Sequence, residues 1–136
     1  MSSGIDAVRA ALVADATLTA LVPTDRIGAG DLPQDVTLPA LSLTSISKVD
    51  RNIPNPGVHR YVTERVQVMI HAANYPSQKA IEAAVRHAAA DQLNVSVSGL
   101  LNVTIHTDGA GPDIMNEEAS IYLGTQDFRV QYNETR

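Results

Sequence analysis

The stretch Tyr61–His71, YVTERVQVMIH, has the clearest pattern in the chain. On one side of an extended backbone it places Val62, Val66, Val68 and Ile70, and on the other Tyr61, Thr63, Arg65, Gln67 and His71. This period of two predicts a half-buried strand. One face of the strand should therefore meet the core.

A helix is predicted soon after this strand, over Ser77–Leu93. Its apolar stripe consists of Ile81, Ala84, Val85, Ala88 and Leu93, and the charged residues opposite are Lys79, Glu82, Arg86 and Asp91. Residues at this spacing share one side of a helix. We expect the helix to lie on the apolar face of the central strand.

The other predicted elements are shorter. Two helical pieces precede Pro23, and Asp15 can cap the second. Arg26-Ile27 would be at most a piece of edge strand. Further strands are predicted over Ala40–Ser47, Leu100–His106 and Ala119–Tyr132, the last with Gly124 at a bulge or bend.

The order of elements is α-β-β-α-β-β. It predicts an α+β fold of two layers, a mostly antiparallel sheet of about four strands with the helices packed on one face. The length of 136 residues is that of one domain, so residues 1–136 are expected to form a single unit.

The amino-acid composition argues against several classes of function. The chain has no cysteine, so neither a disulfide framework nor thiolate chemistry is expected. It has no run of apolar residues long enough to span a membrane. A net charge of −5 argues against a general phosphate-binding surface. We expect neither membrane association nor sequence-specific binding of nucleic acid.

No catalytic constellation is apparent. The histidines, at positions His59, His71, His87 and His106, lack the spacing of a metal site. The acidic residues Asp108, Asp113, Glu117 and Glu118 surround a glycine-rich segment but do not follow the order of a calcium loop. We therefore predict no catalytic residue, no metal and no cofactor.

Two polar segments, Lys48–Arg60 and Thr107–Asn116, are predicted to be long loops. Loops of this length are either mobile surface or contacts with a partner. Their charged and amide side chains are the candidate contact residues, namely Lys48, Asp50, Arg51, Asn52 and Arg60 on the first loop, and Asp108, Asp113 and Asn116 on the second.

Several segments together resemble the tail-completion or tail-terminator family of tailed phages and phage-like particles. In chain order they are Val8–Leu12, Leu18–Val22, Asp25–Ile27, Leu32–Gln34, Leu38–Leu41, Arg65–Val68, Ala80–Arg86 and Asp127–Tyr132. The resemblance lies in their order and spacing. His71, where such proteins often have an aromatic residue, and the tract Pro54–Gly57 depart from the pattern.

The resemblance implies a structural virion protein rather than an enzyme. Such a protein forms a ring, commonly a hexamer, that caps the tail tube and joins the tail to the head or neck. Its implied partners are itself, the tail tube protein and a head-closure or neck protein, with DNA passing through the ring. The implied location is the virion tail or neck, after assembly in the bacterial host cytoplasm.

Two alternatives stay open. One is another neck component, such as a head-closure or tube-like protein. The other, from a different class, is a small-molecule-binding or enzymatic α+β domain, which would need a concave pocket lined by convergent polar groups.

Overall fold

A computed structural model of the chain describes residues 4–30, 38–51, 54, 57–97, 100–116 and 121–135. Its helices are α1 (Gly4–Val13), α2 (Ala16–Leu21) and α3 (Tyr75–Ala89), with a 3-10 turn at Thr24–Arg26. Its strands are β1 (Ile27–Ala29), β2 (Ala40–Arg51), β3 (His59–Ala72), β4 (Gln92–Val97), β5 (Leu100–Ala110), β6 (Ile114–Asn116) and β7 (Ile121–Thr135). The predicted segment Leu32–Gln34 lies outside the described residues.

The strands form one mixed sheet in the order β1-β2-β3-β7-β5-β4, and β6 pairs with the first part of β7. The short β1 runs parallel to β2, whereas the other described pairings are antiparallel. At the centre, β3 pairs with β7 along its whole length, from His59 opposite Thr135 to Ala72 opposite Tyr122. The predicted central strand is therefore the centre of the sheet.

The chain is α+β, but the predicted two-layer fold with about four strands in the order α-β-β-α-β-β is wrong. Seven strands are found in the described residues. The additional strands are β1, β4 and β6. Two of them have only three residues each, too short to show a period in the sequence.

The predicted helix Ser77–Leu93 is shifted and shorter in the structure. It starts at Tyr75, where the Asn74 side chain caps it by accepting a hydrogen bond from the Ser77 N–H at 2.9 Å. It ends at Ala89, and Asp91 follows with a positive φ of 56° that turns the chain into β4. Leu93 consequently lies on β4, where it is 66% exposed.

The core lies between the helices and one face of the sheet. Val62, Val66, Val68 and Ile70 are all buried, as the alternation predicted. Helices α1 and α3 contribute Val8, Leu12, Ile81 and Val85, and the adjacent β7 contributes Phe128, Val130 and Tyr132. The single phenylalanine of the sequence is thus part of an otherwise largely aliphatic core.

Both predicted loops are mostly strand. β2 continues to Arg51 and β3 starts at His59, so Lys48–Arg60 contains two paired strand ends, and only residues 52–58 connect them. Likewise β5 continues to Ala110, and β6 covers Ile114–Asn116. The sequence did not predict these strand ends because their residues are mostly polar or exposed, so neither face shows an apolar period.

Gly124 is neither a bulge nor a bend. It pairs regularly with Ile70 on β3. A Cβ at this position would lie 2.3 Å from Nε2 of Gln78, a buried side chain of α3. Glycine is needed here because α3 packs a side chain directly onto the backbone of β7.

Candidate assembly surfaces

The predicted contact residues lie mainly on strands. Lys48, Asp50 and Arg51 are on β2, Arg60 is on β3, and Asn52 lies outside the described residues. Asp108 is on β5, Asp113 lies between β5 and β6, and Asn116 is the last residue of β6. Glu117 and Glu118, considered above as acidic ligands, also lie outside the described residues.

The two predicted segments begin near the middle of the sheet, where Lys48 pairs with Glu64 and Thr107 with Phe128, and they run toward opposite ends of it. Arg51 and His59, which flank the β2–β3 connection, lie at one end of the central strand pair. Asn116 and Ile121, which flank the β6–β7 connection, lie near the other end. At about 3.3 Å a residue, these ends are about 40 Å apart.

A network of ion pairs lies on the sheet face that is turned away from the helices. It consists of Arg65, Asp108, Asp127 and Arg129, and we call it the polar-face network. The Arg65 Nε donates to Asp127 Oδ2 at 3.0 Å, and Arg65 Nη2 donates to the same oxygen. Asp108 lies between the two arginines, 3.6 Å from Arg65 Nε and 3.0 Å from Arg129 Nη2.

The polar-face network contains two arginines and two aspartates, so its charges cancel. The hydrogen bond to Asp127, followed by the attraction of that carboxylate, raises the pKa of Arg65 above its ordinary value. Asp127 is buried beneath Arg65. Each arginine is therefore held against a carboxylate of the same chain, which favours recognition by matched charges over binding of a free anion.

A groove of about 510 Å³ adjoins this network. Its lining includes Arg65, Gln67, Met69, Asp108, Ile114, Thr125 and Asp127. Within the part of the chain that the structure describes, no three His, Cys, Asp or Glu side chains are grouped so that they could hold a metal ion. The walls of the groove carry both polar and apolar side chains.

Asp113 has an internal structural role that its sequence position did not indicate. Its carboxylate accepts hydrogen bonds from Tyr75 Oη, Gln78 Nε2 and Lys79 Nζ, each at 3.0 Å. The Lys79 hydrogen bond is the main cause that lowers the pKa of Asp113, and the same bond raises the pKa of Lys79. These contacts tie the segment between β5 and β6 to the first turn of α3.

Glu64 is a buried carboxylate that was not among the predicted site residues. It is 0% exposed on the helix-facing side of β3. Its Oε1 accepts the Gly4 N–H at 3.0 Å and the Tyr132 hydroxyl at 2.8 Å, and Lys48 Nζ lies 3.7 Å away. A negative charge at the start of α1 is favourable because the backbone N–H groups there lack helical partners.

The sequence did contain a signal for Glu64. Its position between Val62 and Val66 places it on the apolar side of the predicted strand. A carboxylate on a core-facing side is rarely buried without partners. Neither Gly4 nor Tyr132 could have been identified as its partner, because both are at least 60 residues away in the chain.

Comparisons with known proteins agree with the resemblance. The family described as Tail completion protein gp17 matches residues 6–132. Among solved structures, a chain from the virion of a native gene transfer agent particle has a TM-score of 0.72 and 22% identity, covering 93% of this chain and 91% of that one. That likeness shows a shared fold. No curated protein matches the chain.

The match of sequence family and fold defines this protein as a structural protein of phage-type tails. The chain belongs to the tail completion protein gp17 family, and with that family it is a component of the virion tail or neck. None of the described helices is long and apolar enough to cross a membrane.

Proposed function

We propose that this protein forms a hexameric ring on the end of a tail tube and joins the tail to the head. Residues 1–136 act in this proposal as one tail-terminator-like domain. Membership of a tail completion family supports the position at the end of the tail. The partners are other copies of the chain, the tail tube protein and a head-closure or neck protein.

The long central strand pair is the observation that carries the proposal. β3 and β7 run side by side for fourteen residues, with the Arg60–Glu134 ion pair at one end and the Lys79–Asp113 ion pair near the other. One subunit can therefore present different surfaces at its two ends, one toward the tube and one toward the head. Copies that contact each other through unlike surfaces close into a ring when the rotation allows it.

The eight predicted contact residues belong to two separate surfaces in this proposal. Lys48, Asp50 and Arg51 are exposed near the β2–β3 end, and in the proposal they contact a neighbouring subunit or the tube together with Asn52 and Arg60. Asp108, Asp113 and Asn116 belong to the second contact surface. The internal ion pairs of Asp108 and Asp113 fix the shape of that surface before a partner arrives.

The ring surrounds a channel through which DNA passes. A lining that lets DNA move must not hold its phosphates tightly. Arginines paired with carboxylates of the same chain release few counterions on meeting DNA. If the sheet face with the polar-face network lines the channel, the pairing of Arg65 with Asp127 and of Arg129 with Asp108 meets this requirement.

The proposal assigns no catalytic activity and no cofactor to the protein. The family is a structural one, and the clusters described above pair charges internally. Elemental analysis of the native protein provides a test. A stoichiometric transition metal would contradict this part of the proposal.

Replacing residues 52–58 tests the assembly role directly. A four-residue Gly-Ser linker should preserve the fold, because loop closure depends weakly on length. Electron microscopy should then show tails of abnormal length or tails without heads. A Gly-Ser segment of the original length is the matched control, since it changes the side chains without shortening the connection. Normal particles from both variants would refute a role for this connection.

A further inference from the structure

We infer that the outer edge of β2 binds the same edge of a second copy of this chain, in an antiparallel register centred on Val49. The contact has two-fold symmetry and forms in the free protein. It uses Lys48 and Asp50, which the ring proposal assigns to a neighbouring subunit or the tube, so the dimer and that contact exclude each other at this edge. The dimer itself does not depend on the proposed function.

Among the described strands, none pairs with the outer edge of the second half of β2. β1 pairs only with Leu41–Leu43, whereas β3 pairs with β2 as far as Arg51. No other described strand pairs with Thr44–Arg51, and every side chain in this segment is exposed. Val49 is 64% exposed. An open edge of this kind is a template for another strand.

The hydrogen bonds indicate which residues can pair across this edge. The Gly30 N–H donates to the Leu43 carbonyl at 2.8 Å, so Leu43 directs its backbone groups outward, away from β3. Outward and inward residues alternate along a strand. The register shift between Ser45 and Ser47 adds one residue, so beyond it Lys48 and Asp50 direct their N–H and C=O groups outward.

Charge then selects the register. Two-fold antiparallel pairing in this segment can be centred on residue 48, 49 or 50. Centring on Lys48 places two lysines opposite each other, and centring on Asp50 places two aspartates opposite each other. Only the register centred on Val49 places Lys48 opposite Asp50, and symmetry repeats this pair.

The side chains fit this register on both faces of the sheet. Lys48 and Asp50 share one face because they are two residues apart, and Val49 meets its own copy on the other. The side chain of Lys48 is 45% exposed although it leans toward Glu64. Its ammonium can therefore lie between Glu64 of its own chain and Asp50 of the second copy.

Charge exchange provides the test. Sedimentation equilibrium should show the wild type approaching twice its mass of 14.5 kDa as concentration rises. Asp50→Lys and Lys48→Asp should each weaken the dimer by about tenfold or more, since each replaces two attractive pairs by two repulsive ones. The double variant should restore it. Arg86→Glu, on the exposed side of α3, is the control and should dimerise normally.

Several results would overturn the inference: a wild type that stays monomeric at millimolar concentration, single variants that dimerise normally, or a double variant that stays monomeric while folded. Hydrogen exchange gives a second measurement, useful if Lys48→Asp misfolds beside Glu64. The Lys48 and Asp50 amides should become protected as concentration rises, and unchanged exchange would also refute the contact. Failure of this test leaves the ring proposal intact, because rings on tails are observed separately by electron microscopy.

Discussion

Replacing Glu64 by glutamine should destabilise the protein by removing the charge that holds α1 to the sheet. The side chain is fully buried, and one oxygen accepts hydrogen bonds from Gly4 N–H and Tyr132 Oη. Hydrogen bonds to a charged group contribute about 1.5–3 kcal/mol each, and an anion at a helix start adds a smaller amount. Glutamine keeps one acceptor. We therefore expect a loss of about 2–3 kcal/mol.

Urea unfolding followed by circular dichroism measures this loss. Tyr132→Phe should cost about 1–2 kcal/mol, and the two changes should be non-additive because both alter the hydrogen bond between Tyr132 and residue 64. Hydrogen exchange should show faster opening of α1 in the glutamine variant. Glu82→Gln is the matched control, since Glu82 pairs with Lys79 on the surface of α3. Loss of this surface ion pair should hardly change the urea concentration at the unfolding midpoint.

The stability of the protein should also depend on alkaline pH through Tyr132. Burial and the Glu64 hydrogen bond raise the pKa of Tyr132. The folded state then retains a proton that the unfolded state loses, so stability should fall as pH rises above about 10. Tyr132→Phe should make this fall shallower. A glutamine variant within about 0.5 kcal/mol of wild type, well below the expected loss, would refute the anchoring role of Glu64.

Three further changes test other parts of the structure. Asp113→Asn should speed hydrogen exchange in β6 and leave global unfolding nearly unchanged; the lowered pKa of Asp113 means that acidification below about pH 4 should have the same local effect. Gly124→Ala should cost about 1–3 kcal/mol because its Cβ would displace Gln78, and the cost should shrink in a Gln78→Ala background. Burial lowers the pKa of His71, so stability should fall as pH drops below about 6.5, and His71→Gln should flatten this slope in thermal melts.

The centre of the fold was predictable because its residues carry a strong period. The valines of β3 alternate with polar residues, and α3 has an apolar stripe, so tertiary structure and local pattern agree. Asp15 was also predicted as a cap, and its side chain accepts the Leu18 N–H at 3.0 Å. Each of these features is set by residues that are close together in the sequence, which is why the sequence pattern predicts them.

The edges of the sheet were not predictable for the opposite reason. The predicted strand Ala40–Ser47 stopped four residues short of the end of β2, because Lys48–Arg51 are all exposed and show no apolar period that would distinguish a strand from a loop. Leu93 fitted the stripe of α3, but the positive φ of Asp91 ended the helix first.

The contact role of the eight candidate residues stays a prediction, and the sequence did not indicate their environment in the fold. The charged residues of the two segments were identified, but their partners were not. Asp108 and Asp113 pair with Arg65, Arg129 and Lys79, and such distant contacts become visible only once the sheet is assembled.

The full-length pairing of β3 with β7 makes the subunit a rigid spacer. Paired strands cannot be stretched or shortened without breaking their ladder of hydrogen bonds, so the about 40 Å between the two ends is a fixed length. A partner bound at one end and a partner bound at the other are held at a set separation.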